Sequence, residues 1–208
     1  MLGERQAQTA STDYWNHNTA YHSWILRQAA GKNRALDVGC GDGLLVKRLS
    51  GVCGSVLGID PHQPSIRRGQ ARLAGVDSAR LAALSFEELT AEPGSFDLIV
   101  FAASLHHMDQ ARCLAKAADL LAIGGRLLVV GLARPESVWD WCVEALRVIP
   151  ARAGSLLHGE KRSGGIGVPT APPELSFAQI RAITARVLPG AKIRRGLYYR
   201  YLLSWTKL

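Results

Sequence analysis

The sequence predicts a doubly wound α/β fold, with a mostly parallel sheet and helices on both faces. Three observations carry that expectation. Short apolar runs of strand length alternate with helical segments of crossover length. A glycine-rich turn, Gly39-Cys40-Gly41-Asp42-Gly43, joins the first strand to the helix that follows it. An acidic residue, Asp60, closes the second strand 21 residues after Gly39.

The elements are expected in this order. Residues 12–30 form an N-terminal helix, with Thr12 or Asp13 as cap, Trp15, Tyr21, Trp24, Ile25 and Leu26 as apolar positions, and Gly31 as stop. Arg34–Val38 is a short buried strand, and a helix spans Gly43–Leu49. Ser55–Ile59 is a second strand, followed by a helix from about Pro64 to Leu73. Arg80–Leu84 is a weak third strand and Phe96–Phe101 a strong fourth. A helix over Asp109–Leu121 leads to a fifth strand, Arg126–Val130, opened by the turn Gly124-Gly125. Right-handed crossovers then wind the sheet in both directions. Val138–Ile149 reads as a helix, and residues 150–173 as a Gly/Pro-rich binding segment or surface insertion. Ser176–Leu188 is a helix, and Lys192–Leu197 with Tyr201–Thr206 form an antiparallel hairpin at a sheet edge. The whole reads as one domain, 1–208, with a cap helix at about 12–30 and an inserted segment at about 134–173.

Composition narrows the class. The chain has 208 residues, 48% hydrophobic and 20% charged, which argues against disorder, collagen or a disulfide miniprotein. No apolar run approaches the roughly 20 residues that span a bilayer. Residues 1–13 lack the apolar stretch of a secretory leader. Cys40, Cys53, Cys113 and Cys142 show no metal-ligand spacing and read as reduced thiols of a cytoplasmic protein. The net charge is +8, and the last third, from residue 131, holds twelve basic residues against five acidic. That asymmetry is either a basic rim for an acidic partner or a solvated Arg-rich surface.

The glycine turn lets the backbone approach a ligand closely beside the N-terminus of a helix. Asp60 is placed to accept both hydroxyls of a ribose. The dinucleotide pattern GxGxxG cradles a pyrophosphate, whereas here Asp37 precedes Gly39 by two residues. A carboxylate repels phosphate and suits a cationic amino group. S-adenosylmethionine (SAM) offers a ribose, an adenine and an amino-acid tail without phosphate.

The sequence resembles the class I SAM-dependent methyltransferases of the compact small-molecule type. The resemblance lies in ALDVGCGDGLL (35–45), VLGID (56–60), FDLIVFAASLHHM (96–108) and IGGRLLVVG (123–131), about half of the chain. It implies a Rossmann-like seven-stranded sheet, mostly parallel with an antiparallel C-terminal strand. It further implies that Gly39, Cys40, Gly41 and Gly43 line the methionine and ribose portions of SAM, with Asp37 on the amino group. Asp60 would take the ribose hydroxyls, Pro61 and His62 would lie against adenine, and Ala102 would approach the sulfonium. The family often has an Asp bonding the adenine amine where this chain has Ser85, leaving the Ser85 hydroxyl and the Phe86 N–H for the ring. The usual Pro before the Gly-Gly turn is Ile123.

Methyl transfer needs a positioned nucleophile and, for a hydroxyl, a proton acceptor. His106 and His107 directly follow the fourth strand and are the candidate bases; the alternative is that they only fix the loop. Tyr14, His17, Tyr21 and His22 on the N-terminal helix, with Trp139 and His158, are candidate acceptor-binding residues. For the helical four, the alternative is an amphipathic helix packed into the core. No cluster of carboxylates suggests a metal. The expected partner is a small-molecule methyl acceptor, O- or N-nucleophilic, with the chain a monomer or homodimer. A nucleic-acid methyltransferase is disfavoured, since the fourth strand runs into Phe-Ala-Ala-Ser-Leu-His-His rather than an Asn/Asp-Pro-Pro-aromatic clamp. A catalytically silent SAM-binding subunit is the remaining alternative.

Overall fold

The computed structural model describes residues 19–135, 172–197 and 200–208. Among them seven strands form one sheet: β1 Arg34–Val38, β2 Ser55–Ile59, β3 Ala79–Ala82, β4 Phe96–Ala102, β5 Leu121–Leu132, β6 Lys192–Arg195 and β7 Arg200–Thr206. Their order is β3-β2-β1-β4-β5-β7-β6, parallel from β3 to β5, with β7 antiparallel to both of its neighbours. The sheet reverses its winding between β1 and β4, the place where such folds open a crevice at the carboxyl ends of the strands.

Residues alternate between two cores, as the period of a strand requires. Leu36, Val38, Ile99, Phe101, Leu127, Val129, Tyr201 and Leu203 face one side. There they meet α4 (Gln110–Leu120) and α5 (Phe177–Val187) through Leu114, Ala117 and Ile180. Ala35, Leu98, Val100, Leu128, Val130 and Leu202 face the other side. They pack on α1 (His22–Ala29) and α2 (Leu44–Leu49) through Ile25, Ala29, Leu45 and Leu49, while α3 (Gln63–Arg72) continues this layer toward β3. Asp109 caps α4 by accepting from the Arg112 N–H at 3.0 Å, and Ser176 with Gln179 closes a capping box on α5.

Details of several elements differ from the sequence expectation. Of the helix expected over 12–30, residues 12–18 lie outside the described residues; Thr19–Tyr21 form a 3-10 turn and His22–Ala29 the helix. β3 stops at Ala82 rather than Leu84. β5 starts at Leu121 and runs through Gly124-Gly125 instead of being opened by them: Phe96 pairs with Leu121 and Leu98 with Arg126, so the chain loops out between. Ile123 sits on that loop, 83% exposed. The expected hairpin forms, but β7 inserts between β5 and β6, so that β6 is the edge. The helix expected over Val138–Ile149 and the rest of the insertion up to residue 171 lie outside the described residues. No helix among the described residues is long and apolar enough to cross a membrane.

Candidate active site

β1 delivers the glycine turn to the carboxyl edge of the sheet, and β2 holds it there. The N–H groups of Gly39 and Cys40 both donate to Ile59 O, at 2.8 and 3.0 Å. Gly39 has φ +73°, and a Cβ there would collide with the Ser104 side chain. Gly41 has φ +55°, and among the described residues no atom beyond its chain neighbours lies within 4 Å of where its Cβ would be. The first glycine is thus required by packing, and the second leaves open space at the turn.

Asp60 closes the other side. Its Oδ2 accepts from the Gly41 N–H at 2.9 Å and its Oδ1 from the His62 N–H at 2.8 Å. A carboxylate has about four acceptor positions, so each oxygen keeps one for a ligand hydroxyl. Pro61 beside it is exposed, and the His62 ring is fixed by Ser65 Oγ at 2.8 Å from Nδ1. Asp42 anchors the turn to α3 through a 2.7 Å ion pair with Arg72.

Asp37 is 1% exposed, and its Oδ1 has no hydrogen-bond partner. Burial, with a smaller contribution from Asp60, raises its pKa to about 7. A buried acceptor without a donor is costly, and one beside an open glycine turn implies a donor brought by a ligand. Cys40 contributes backbone: burial, Asp37 and Asp60 push its thiol pKa upward, and the sulfur lies over Gly58 of β2.

The Ser85 hydroxyl, expected to face an adenine amine, donates to Glu88 Oε2 at 2.8 Å, and the Ser85 N–H donates to the same oxygen. These bonds close a turn over 85–88 and leave the hydroxyl oxygen able to accept. Phe86 is buried, edge-on to Phe101 with ring centroids 5.3 Å apart. No protein acceptor among the described residues takes its N–H.

Ala102 ends β4, half-buried at the same edge. Ala103 then adopts φ +61°, and its N–H donates to Val130 O at 2.7 Å. That left-handed step drops Ser104 beneath the glycine turn, where its hydroxyl donates to Val38 O. His106 and His107 follow in a 3-10 turn, their rings 3.9 Å apart. His106 Nδ1 is buried without a partner. Burial, then His107 and Arg200, lower its pKa to about 4, so this imidazole is neutral at pH 7. His107 is exposed.

Of the N-terminal candidates, Tyr21 donates its hydroxyl to Leu197 O at 2.8 Å. His22 is 5% exposed, with Nδ1 2.9 Å from Arg48 on α2. Both are held by protein neighbours. Tyr14, His17, Trp139 and His158 lie outside the described residues. Sequence reasoning missed Ser104, whose role depends on the conformation of Ala103, and Lys116. The Lys116 ammonium donates to Phe86 O, Glu87 O and Leu89 O at 2.7, 3.0 and 2.8 Å, clamping the turn that carries the Phe86 N–H.

A family model described as a methyltransferase domain matches residues 36–129. An uncharacterized methyltransferase of Mycobacterium tuberculosis (strain ATCC 25618 / H37Rv) is 34% identical over 203 residues, covering 92% of this chain and 96% of that protein. The chain belongs to the class I SAM-dependent methyltransferases. A SAM-dependent methyltransferase from Aquifex aeolicus shares the fold of this methyltransferase with TM-score 0.61 at 15% identity, over 90% of this chain and 89% of that one. A ubiquinone biosynthesis O-methyltransferase of Bordetella parapertussis (strain 12822 / ATCC BAA-587 / NCTC 13253) is 36% identical over 110 residues, half of this chain and 44% of that protein. SAM is the cofactor of this methyltransferase. The site suits it, because Asp37 Oδ1 offers a buried, unpartnered acceptor and Gly41 leaves the turn open.

Proposed function

We propose that the enzyme methylates a small-molecule acceptor, at an oxygen or nitrogen nucleophile, beyond the carboxyl ends of β4 and β5. The observation that carries this reading is His106: a neutral imidazole with a buried, unpartnered Nδ1, directly after the strand that borders the glycine turn. The half-length likeness to an O-methyltransferase of ubiquinone biosynthesis supports the same chemistry.

The chain divides the work as follows. Asp60 takes the ribose hydroxyls with the lone pairs left by Gly41 and His62. Asp37 faces the cationic amino group, through water or the turn backbone. Pro61, His62 and the Phe86 N–H meet the adenine, and Ala102 borders the sulfonium. Bound SAM supplies an electrophilic methyl group whose bond to sulfur breaks with its electron pair, leaving S-adenosylhomocysteine (SAH). His106 receives the acceptor's proton. A base with pKa about 4 suffices, because a hydroxyl becomes strongly acidic as its oxygen bonds the methyl carbon. Tyr14, His17, Trp139 and His158 complete the acceptor side in this proposal. Tyr21 and His22 support it by fixing Leu197 and α2.

Calorimetry with SAH, using NADH as control, followed by turnover across phenols, acids and amines, tests the reading. Micromolar SAH binding and methylation of a small molecule are expected. Turnover confined to RNA or DNA would overturn it.

A further inference from the structure

His62 precedes α3 with its backbone and its ring both held. Its N–H donates to Asp60 Oδ1 at 2.8 Å, so the residue sits directly on the carboxylate that closes the glycine turn. Its ring Nδ1 lies 2.8 Å from the Ser65 hydroxyl, and Arg68 Nη2 donates to the same oxygen at 3.0 Å. Ser65 is 1% exposed. Residues three apart share a face of a helix, so His62, Ser65 and Arg68 line up along the start of α3.

This chain of bonds has a direction. A guanidinium can only donate, so Arg68 occupies one lone pair of Ser65 Oγ. The Ser65 proton then needs an acceptor, and among the described residues the acceptor it meets is His62 Nδ1. The opposite arrangement, with Nδ1–H donating to Ser65, would strand the hydroxyl proton in the interior, where an unmade bond costs more than a made one is worth. Nδ1 therefore accepts, and the neutral ring carries its hydrogen on Nε2. Nε2 has no partner among the described residues, and solvent reaches it.

We infer that Ser65 and Arg68 are positioning residues that hold His62 as an Nε2–H donor to the adenine, at the ring nitrogen N3 beside the glycosidic bond. This rests on the placement of His62 against the adenine proposed above. Asp60 takes the ribose in that placement, and His62 is bonded to Asp60, so the ring meets the ribose-facing edge of the base. N3 is the neutral acceptor on that edge, with a lone pair in the ring plane. A ring already held in the donor tautomer loses nothing in selecting it when the ligand arrives, as with the partners that orient metal-bound histidines. The Arg68 charge polarises the Ser65 hydroxyl and so strengthens its bond to Nδ1.

The test uses the full chain labelled with nitrogen-15 at histidine, the His62 signals being assigned by their loss in His62→Phe. At alkaline pH the free protein should show a protonated Nε2 and a bare Nδ1, and saturating SAH should shift the Nε2 signal. SAH should bind about tenfold more tightly than its 3-deaza analogue, in which a C–H replaces N3. That preference should vanish in His62→Phe and shrink severalfold in Ser65→Ala, whose His62 should show both tautomers. Arg68 is exposed, so Arg68→Met tests the chain of bonds even if Ser65→Ala does not fold. It should reduce the preference in part, and Arg68→Lys should restore it. A merely structural role would weaken both ligands equally and leave the preference intact. Hydrogen on Nδ1 in the wild type, equal affinity for the two ligands, or an undiminished preference in Ser65→Ala or Arg68→Met would overturn the inference while SAH still shifts His62. No shift of His62 by SAH would instead remove it from the adenine, sinking the proposed placement and the inference with it.

Discussion

The Gly41 N–H donates to Asp60 Oδ2 at 2.9 Å, tying the open glycine of the turn to the residue that ends β2. One side chain thereby ties the two sides of the proposed cofactor cleft together and keeps lone pairs for the ribose hydroxyls it is proposed to bind. Asp60→Ala removes both functions. SAH affinity should fall at least tenfold, about 1.4 kcal/mol. Calorimetry checks it, and wild-type affinity in the variant would remove Asp60 from the site.

Asp37 should make cofactor binding depend on pH near neutrality. Burial holds its folded-state pKa at about 7, above the ordinary 3.8. The folded protein therefore binds more protons than the unfolded chain between those values, and stability falls as pH rises through that window. Ionisation, in turn, favours the cationic tail of SAM, so affinity should rise from pH 6 to pH 8. Asp37→Asn removes the buried charge. It should stabilise the free protein at pH 8 by at most about 4 kcal/mol while flattening the pH dependence of SAH binding and weakening it. Urea denaturation at pH 5 and pH 8, beside calorimetry, separates the two effects.

Two alanine substitutions in one turn should fail in different ways. At Gly39 the new Cβ meets Ser104, which Val38 O holds in place, and φ is +73°. Gly39→Ala should destabilise the fold by more than the 1–2 kcal/mol expected for the left-handed backbone alone. At Gly41 no atom of the described residues beyond its chain neighbours is near. Gly41→Ala should cost only that backbone strain but obstruct the ligand, so its melting temperature falls less than that of Gly39→Ala while SAH affinity drops. Equal stability losses in both variants would show that the space at Gly41 is not the ligand's.

His106 should give the pH–rate profile an acid limb near 4 rather than at the ordinary 6.5, because burial, His107 and Arg200 all disfavour its charged form. Turnover measured with saturating SAM isolates this limb from the ionisation of Asp37. His106→Ala should lower turnover with an oxygen acceptor by a factor of about 10² or more. His107→Ala, exposed and stacked on its neighbour, should change it only severalfold. Full turnover in both variants, with normal SAH binding, would take the pair out of the mechanism.

What the sequence made legible is what depends on local pattern. The strands β1, β2 and β4 and the glycine turn follow from alternation and from glycine spacing. The start of β5 did not, because Leu121 and Ala122 continue the apolar period of α4, and only pairing of Leu121 with Phe96 makes them strand. Ala103 carries no mark of its left-handed φ, since that region is signalled by glycine, asparagine or aspartate and not by alanine. Ser85 was read for its hydroxyl, but Glu88 three residues later competes for that hydroxyl within a local turn.

Lys116 offers the last prediction, at a residue with no ligand role. It lies on α4, and its ammonium spans to three carbonyls of the Phe86–Leu89 turn on the far side of the sheet's crevice. Lys116→Met keeps the stem that packs beside Phe86 and deletes the donors. Hydrogen bonds to a charged group are worth about 1.5–3 kcal/mol, so a loss of about 2 kcal/mol is expected, read from the urea midpoint at constant slope. The freed turn should also loosen the Phe86 N–H, which is proposed to meet the adenine. SAH affinity should therefore fall severalfold, whereas affinity for 5′-methylthioribose, which has a ribose but no adenine, should not change. Parallel loss of both ligands would mean that Lys116 supports the whole site rather than the adenine turn.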